Sequence, residues 1–211
     1  MGLRERKKHQ TRAALAWAAV RLIVERGYDK VLVEDIAGEA GVSPRTFNNY
    51  FSSKAAAVAS RHLDRSLRMA DGLRARPAGE GLWTAITEAV VAEMTPGPEV
   101  TSQPRPDRET WGAGLQQMMA IPAIQAETLR AAAVAEQELA KAVGERVGID
   151  PADDIYPGLV AATVTAACNV ASQRYAAARF TGQDDLETSI RELLVDALSQ
   201  VAAGLPPPGA K

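Results

Sequence analysis

The sequence predicts an all-α protein of about nine helices, with an N-terminal helix-turn-helix region ahead of a larger helical region. Three observations carry this. Apolar residues recur at three- and four-residue spacing along most of the chain. The stripes they form are punctuated by glycine at their ends and by serine, aspartate or proline at their starts. No segment makes a defensible strand. With 211 residues, 46% of them hydrophobic, the chain can bury a sizeable core.

From Thr11 to Arg26, the residues Leu15, Ala18, Ala19, Leu22 and Ile23 form one helical stripe, and Gly27 stands where a left-handed C-terminal cap is wanted. Val33, Ile36, Ala37 and Ala40 form a second, shorter stripe stopped by Gly41. The three residues Gly41-Val42-Ser43 then lead into a third helix, which is the connection a helix-turn-helix uses. That third helix is fixed locally at its start: Ser43 suits the cap, Pro44 the first helical position, and Val42 is placed to pack on Phe47 as a hydrophobic staple. After Ser52-Ser53 a long helix is expected from Lys54 to about Leu73, before Arg76-Pro77-Ala78-Gly79.

Beyond these come a helix near Leu82 to Met94, a Pro-rich loop over 96–106, a helix from Trp111 to Met119, and another opened by Pro122 and closed by Gly148. Asp150-Pro151 reads as the start signal of the next helix, which Pro157-Gly158 should kink or restart before an Ala-rich run to Phe180. In the last helix Asp184 and Glu187 fit a capping box. Leu186, Ile190, Leu193, Leu194, Ala197, Leu198 and Val201 form its stripe, and Gly204 with Pro206 stops it.

The formal charge of -2 hides a division. Residues 1–76 carry 15 Lys and Arg against 8 Asp and Glu, and the remainder 9 against 18, so a basic end of +7 precedes an acidic body of -9. A basic end of this kind suits a polyanion. No run approaches the roughly 20 consecutive apolar residues of a membrane span. A single cysteine, Cys168, excludes an intramolecular disulfide, and the basic first residues do not resemble a signal peptide. The expected setting is reducing and cytoplasmic, with no membrane.

The third helix carries the chemistry. At about 100° per residue, Phe47 and Phe51 share one face, Arg45, Thr46 and Asn49 point the opposite way, and Asn48 and Tyr50 lie on the flanks. Arginine pairs bidentately with guanine, asparagine with adenine, and threonine offers a methyl to thymine, so the polar face suits a DNA major groove. Ser43 caps the helix, Tyr50 is placed for packing with its hydroxyl toward phosphate, and Ser52, Ser53 and Lys54 suit phosphate. An ordinary core helix with a solvated polar face is the competing reading.

Other chemistry finds little support. The only histidines are His9 and His62, so metal sites and His-based catalytic dyads are not expected, and no catalytic residue or cofactor is assigned. Gly112-Ala113-Gly114 lacks the preceding strand of a dinucleotide fingerprint. Cys168, among Ala and Val, reads as a buried thiol. Trp83, Trp111, Met118 and Met119 are candidates to line an apolar effector pocket, with core packing as the equal alternative.

The run ERGYDKVLVEDIAGEAGVSPRTFNNYFSSKAAAV resembles the N-terminal signature of TetR/AcrR-type transcriptional regulators. The resemblance rests on Gly27-Tyr28, Asp35-Ile36-Ala37, Ala40-Gly41-Val42-Ser43, Thr46-Phe47, Tyr50-Phe51 and Lys54. Two positions depart from the pattern: Asn48 stands where an aromatic residue is usual, and Leu32 where a threonine is usual. The resemblance implies an all-helical homodimer, a small-molecule pocket in the C-terminal region, and repression relieved when an effector binds. The wording of the third helix is most similar to members associated with acyl-CoA or other lipid-like effectors.

These readings give a helix-turn-helix DNA-binding domain at 1–53, a connecting helix at 54–76 and an effector-binding and dimerisation domain at 77–211. The expected partners are a palindromic double-stranded DNA operator, a small apolar or amphipathic effector and a second copy of the chain. The run Leu159–Ala178 and the final Leu stripe are the expected dimer faces. A DNA-binding dimer that senses no small molecule is the alternative.

Overall fold

The computed structural model describes residues 3–93, 108–180 and 189–205, with the side chains of 3–6, 108–110 and 179–180 left aside. The described residues form nine α-helices and one 3-10 turn, without a strand. The helices are α1 (Leu3–Arg26), α2 (Val33–Glu39), α3 (Pro44–Tyr50), α4 (Lys54–Ala75), α5 (Leu82–Glu93), α6 (Arg108–Met119), α7 (Pro122–Val147), α8 (Tyr156–Phe180) and α9 (Ile190–Ala202), with the 3-10 turn at Tyr28–Lys30. They group into two compact units. One comprises Met1–Asp64 with Gly97–Ala132, and the other Arg65–Pro96 with Ala133–Lys211.

In the first unit, Leu15, Ala18, Ala19, Leu22 and Ile23 of α1 are all buried, as their spacing requires. Gly27, at φ +85, ends the helix and its N–H donates to the Ile23 carbonyl at 2.8 Å. α1 starts at Leu3 rather than at Thr11, because Glu, Arg, Lys and Gln extend a nucleated helix without needing burial. Against this helix pack α2, through buried Ile36 and Ala37, and α6, through buried Met118. Gly114 of α6 lies so near α1 that a Cβ there would stand 2.7 Å from Val24 Cγ1 and 2.9 Å from the Val24 oxygen.

The second unit packs α9 on α8 and α5, with α7 and the C-terminal part of α4 supplying Leu139, Val143, Ala70 and Leu73 to the same core. Leu194 and Leu198 are fully buried there. Of the final Leu stripe, these two residues belong to the unit's own core, and Ile190, Leu193, Ala197 and Val201 are half-buried against it. Large apolar side chains are instead exposed along α8 and its approach, at Ile155, Tyr156, Leu159 and Val170, and at Val195 of α9.

Two boundary expectations need correction. Asp150-Pro151 opens a turn, with Asp150 Oδ1 accepting from the Ala152 N–H at 2.8 Å, and α8 begins only at Tyr156, whose N–H donates to Asp154 Oδ1 at 2.7 Å. Pro157 thus lies in the first turn of α8, where its missing N–H costs nothing, and kinks no helix. Asp184, Leu186 and Glu187 lie outside the described residues. The described start of α9 is a reciprocal capping box made by Ser189 and Glu192.

Candidate nucleic-acid interface

α3 is seven residues long, too short to persist alone, and three local devices set it. Ser43 Oγ accepts from the Thr46 N–H at 3.2 Å, Pro44 fills the first helical position, and α2 ends in a left-handed turn at Gly41, φ +67, with the Val42 N–H donating to the Ala37 carbonyl at 2.9 Å. Val42 packs against the same core as Phe47. Phe47 is fully buried, Phe51 nearly so, and their rings lie 5.6 Å apart.

With the aromatic face sunk, Ser43, Arg45, Asn48 and Asn49 are exposed, while Thr46 and Tyr50 are half-buried. The expectation had Thr46 outward and Asn48 on a flank. Thr46 is drawn in toward the cap, its N–H donating to Ser43 Oγ and its hydroxyl 2.9 Å from that of Ser43. Asn48 is as open as Arg45, so the outward polar set is Arg45, Asn48 and Asn49.

Lys54 is used differently from the expected phosphate contact. Its ammonium donates to the carbonyls of Tyr28 and Val31, the latter at 2.8 Å, and lies 4.0 Å from the centroid of the Tyr28 ring. Lys54 gives both carbonyls a charged donor, and that of Tyr28 also accepts from the Val31 N–H at 3.4 Å. Burial, then the charges of Asp29 and Glu127, raise the Tyr28 hydroxyl above its ordinary pKa. Ser53 caps α4, its Oγ accepting from the Ala56 N–H at 3.0 Å. Leu32, at the start of α2, is 59% exposed and offers no cap, although Asp35 Oδ2 accepts from the Leu32 N–H at 2.8 Å and makes half of a capping box.

The structure adds residues the sequence did not single out. Arg12 of α1 reaches Asp64 of α4 through Nε at 3.1 Å and Nη2 at 3.3 Å, and its guanidinium lies 4.8 Å from the centroid of the Phe51 ring, the residue that closes α3. Arg61 similarly lies over Trp17 at 4.5 Å. Arg12 and Asp64 are far apart in sequence, so no local spacing announces the pair.

The four pocket candidates are divided between the two units. Trp83 packs against the core of the second unit, whereas Trp111 and Met118 belong to that of the first, where the Trp111 ring lies 6.0 Å from Trp17. Met119 is 45% exposed. Met118 is buried, and Trp83 and Trp111 are half-buried. Of the histidines, His9 is exposed and His62 half-buried. Burial pushes the Cys168 thiol up to about 11. Among the described residues, no cluster of His, Cys, Asp or Glu could hold a metal ion, and no helix is long and apolar enough to cross a membrane.

Comparison with known proteins places these helices in context. Residues 17–59 match the family model described as bacterial regulatory proteins, tetR family, and residues 80–206 match the MftR C-terminal domain. The chain is 30% identical over 214 residues to the HTH-type transcriptional regulator TcmR of Streptomyces glaucescens, covering 99% of this chain and 92% of TcmR. Among solved structures it is similar to a Rhodococcus sp. protein described as a TetR-family transcriptional regulator, with TM-score 0.53 and 19% identity over 94% of this chain and all of that one. It is also similar to the fatty acid degradation regulator FadR of Bacillus halodurans, with TM-score 0.51 and 16% identity over 92% of this chain and 96% of that one.

Proposed function

The chain belongs to the TetR family of bacterial regulatory proteins, and from that premise we propose that it is a cytoplasmic repressor released from a palindromic operator by a small apolar or amphipathic effector. The observation that carries the DNA reading is the capped helix α3, anchored by buried Phe47 while Arg45, Asn48 and Asn49 are exposed. Arg45 pairs with a guanine edge, and Asn48 and Asn49 reach adenine edges or neighbouring phosphates. Ser43 and Thr46 hold the helix start, Tyr50 offers its hydroxyl to phosphate, and Lys54 acts by fixing the chain ahead of α2. Residues 1–53 form the reading domain, 54–76 the connecting helix and 77–211 the effector and dimerisation domain.

Dimerisation uses the exposed apolar face of α8, from Tyr156 and Leu159 to Val170, with Val195 of α9. Two-fold symmetry then presents two α3 helices to two half-sites, which is why the operator is palindromic. An effector held among the Ala- and Val-rich helices of the second unit favours a dimer geometry in which the two half-sites are not matched at once. α4 is the lever, and coupling of about 1–3 kcal/mol is the usual scale. Lipid-like acids and acyl thioesters are the effector class to try first, on the wording of α3.

The test is enrichment of bound sequences from a random duplex pool, followed by displacement with a panel of apolar acids, acyl thioesters and drugs. A palindromic consensus and release by one chemical class are expected. Enrichment without any release would leave the non-sensing DNA-binding dimer as the function, and no enrichment would overturn the DNA reading.

A further inference from the structure

We infer that Arg146 of α7, seconded by Arg74 of α4, is a positioning residue for DNA recognition. It fixes the angle of α4 within the second unit and thereby sets which spacing of half-sites the dimer accepts. The inference rests on the reading of α3 as the DNA-reading helix and of α4 as the lever, and neither arginine touches DNA in it.

The chain beyond the C-terminal end of α4 is wound around one guanidinium. Arg146, in the last turn of α7, donates through Nη2 to the Pro77 carbonyl at 2.7 Å and the Glu80 carbonyl at 2.6 Å, and through Nη1 to the Arg76 carbonyl at 3.4 Å. Across the same loop Arg76 Nε donates to Glu80 Oε2 at 2.7 Å. Arg74, in the last turn of α4, is tied sideways to α7 through Glu145 at 2.9 Å and Glu138 at 3.6 Å. These two glutamates stand two turns apart on one face of α7. All of these residues lie in the second unit.

Beneath the clasp, Ala70 and Leu73 of α4 share a core with Leu139 and Val143 of α7. Apolar burial holds the two helices together, but it is non-directional and tolerates rocking of one on the other. Hydrogen bonds from a planar fork with fixed donor directions do not. Partly exposed pairs of the Arg74 kind add little stability. Their contribution is to direction.

The far end of α4 makes that direction matter. The helix is unbroken over the 22 residues from Lys54 to Ala75, which makes it about 33 Å long. Its N-terminal part belongs to the first unit, where Val58 shares a core with Phe47 and Phe51, and Asp64 holds Arg12. A tilt of about 6° at one end of such a rod carries the other by about 3.4 Å, the rise of one base pair. In a two-fold dimer both rods tilt. Slight play at the clasp is therefore enough to blur half-site spacing, and the arginines remove that play.

The test compares wild type, Arg146→Lys and Arg74→Gln. Affinities are measured for the palindrome that the wild type enriches, for the same duplex with one base pair inserted at or removed from its centre, and for a single half-site. Arg146→Lys keeps the charge but offers a point donor in place of the fork. The wild type should prefer the enriched spacing, and in both variants that preference should shrink by about fivefold or more, the low end of ordinary coupling between sites. Half-site affinity should stay at the wild-type value, because no residue of α3 is altered, and sedimentation should still show dimers. A lower melting temperature with an unchanged spacing preference would make the clasp merely structural and overturn the inference. So would a variant that is monomeric, or one that loses half-site and palindrome affinity equally. If Arg146→Lys does not fold, the spacing preference of Arg74→Gln decides alone. A wild type that enriches no sequence, or binds palindrome and half-site alike, removes the DNA-binding dimer reading itself, a separate result.

Discussion

Replacing Arg45 by alanine removes an exposed guanidinium from a helix whose cap and buried phenylalanines stay intact, so the loss falls on recognition rather than folding. It should cost about 1–3 kcal/mol on the enriched sequence and relax preference at one base pair, read by competition against single-position variants. Lys54→Met should have the opposite signature. The carbonyls of Tyr28 and Val31 lose a charged donor, which costs about 1–3 kcal/mol of stability and lowers the melting temperature. Sequence spacing located both lysine and arginine, but only the fold distinguishes them, because the Lys54 carbonyl partners lie more than twenty residues upstream. The same holds for Thr46, whose helical phase points outward and whose hydroxyl turns back to Ser43. Cys168 was legible as a quiet thiol from its Ala and Val neighbours. With burial raising its pKa to about 11, it stays a thiol near neutral pH, and a disulfide-exchange reagent should modify it slowly in the native protein and quickly once urea unfolds it.

Helices with strong stripes were readable to within a residue or two: α2, α3, α5 and α7 start where serine, proline or the first apolar position says they should. Boundaries failed where two signals competed. Asp150-Pro151 resembles a helix start, but the same aspartate can accept from its own backbone two residues on, and that local turn wins until Asp154 repeats the device. α1 ran longer than its stripe because apolar periodicity reports burial, not helicity. Close approach between elements was not legible at all. Gly114 looks like an incidental member of Gly-Ala-Gly, yet it lets α6 lie against the backbone of α1. Gly114→Ala gains about 1 kcal/mol of helix propensity. Against that gain, its Cβ would meet the Val24 oxygen at 2.9 Å, and forcing the helices apart costs about 1–3 kcal/mol. Net destabilisation is expected in denaturant unfolding. Trimming Val24 to alanine in the double variant should not restore stability, because the Val24 oxygen is backbone; full restoration would locate the conflict in the Val24 side chain.

The charge division of the chain bears on how two copies meet. A body of net charge -9 repels its own copy, so association needs an apolar face large enough to outweigh that repulsion. Of the final Leu stripe, Leu194 and Leu198 are consumed by the core of their own unit, whereas Leu159 and Val170 remain 56% and 63% exposed, about three turns apart on one face of α8. Placing glutamates at both positions in Leu159→Glu/Val170→Glu removes apolar area and adds like charge across a two-fold axis, where every substitution acts twice. Neither residue belongs to the buried core, so the variant should keep its helical content and melt close to the wild type. Sedimentation should then show a monomer at concentrations where the wild type is a dimer. Affinity for a full palindrome should fall steeply while affinity for a single half-site stays the same, because α3 is untouched and only the linkage between two reading helices is lost. A variant that remains dimeric, or one that loses half-site and palindrome affinity in equal measure, would place the subunit contact elsewhere than on α8.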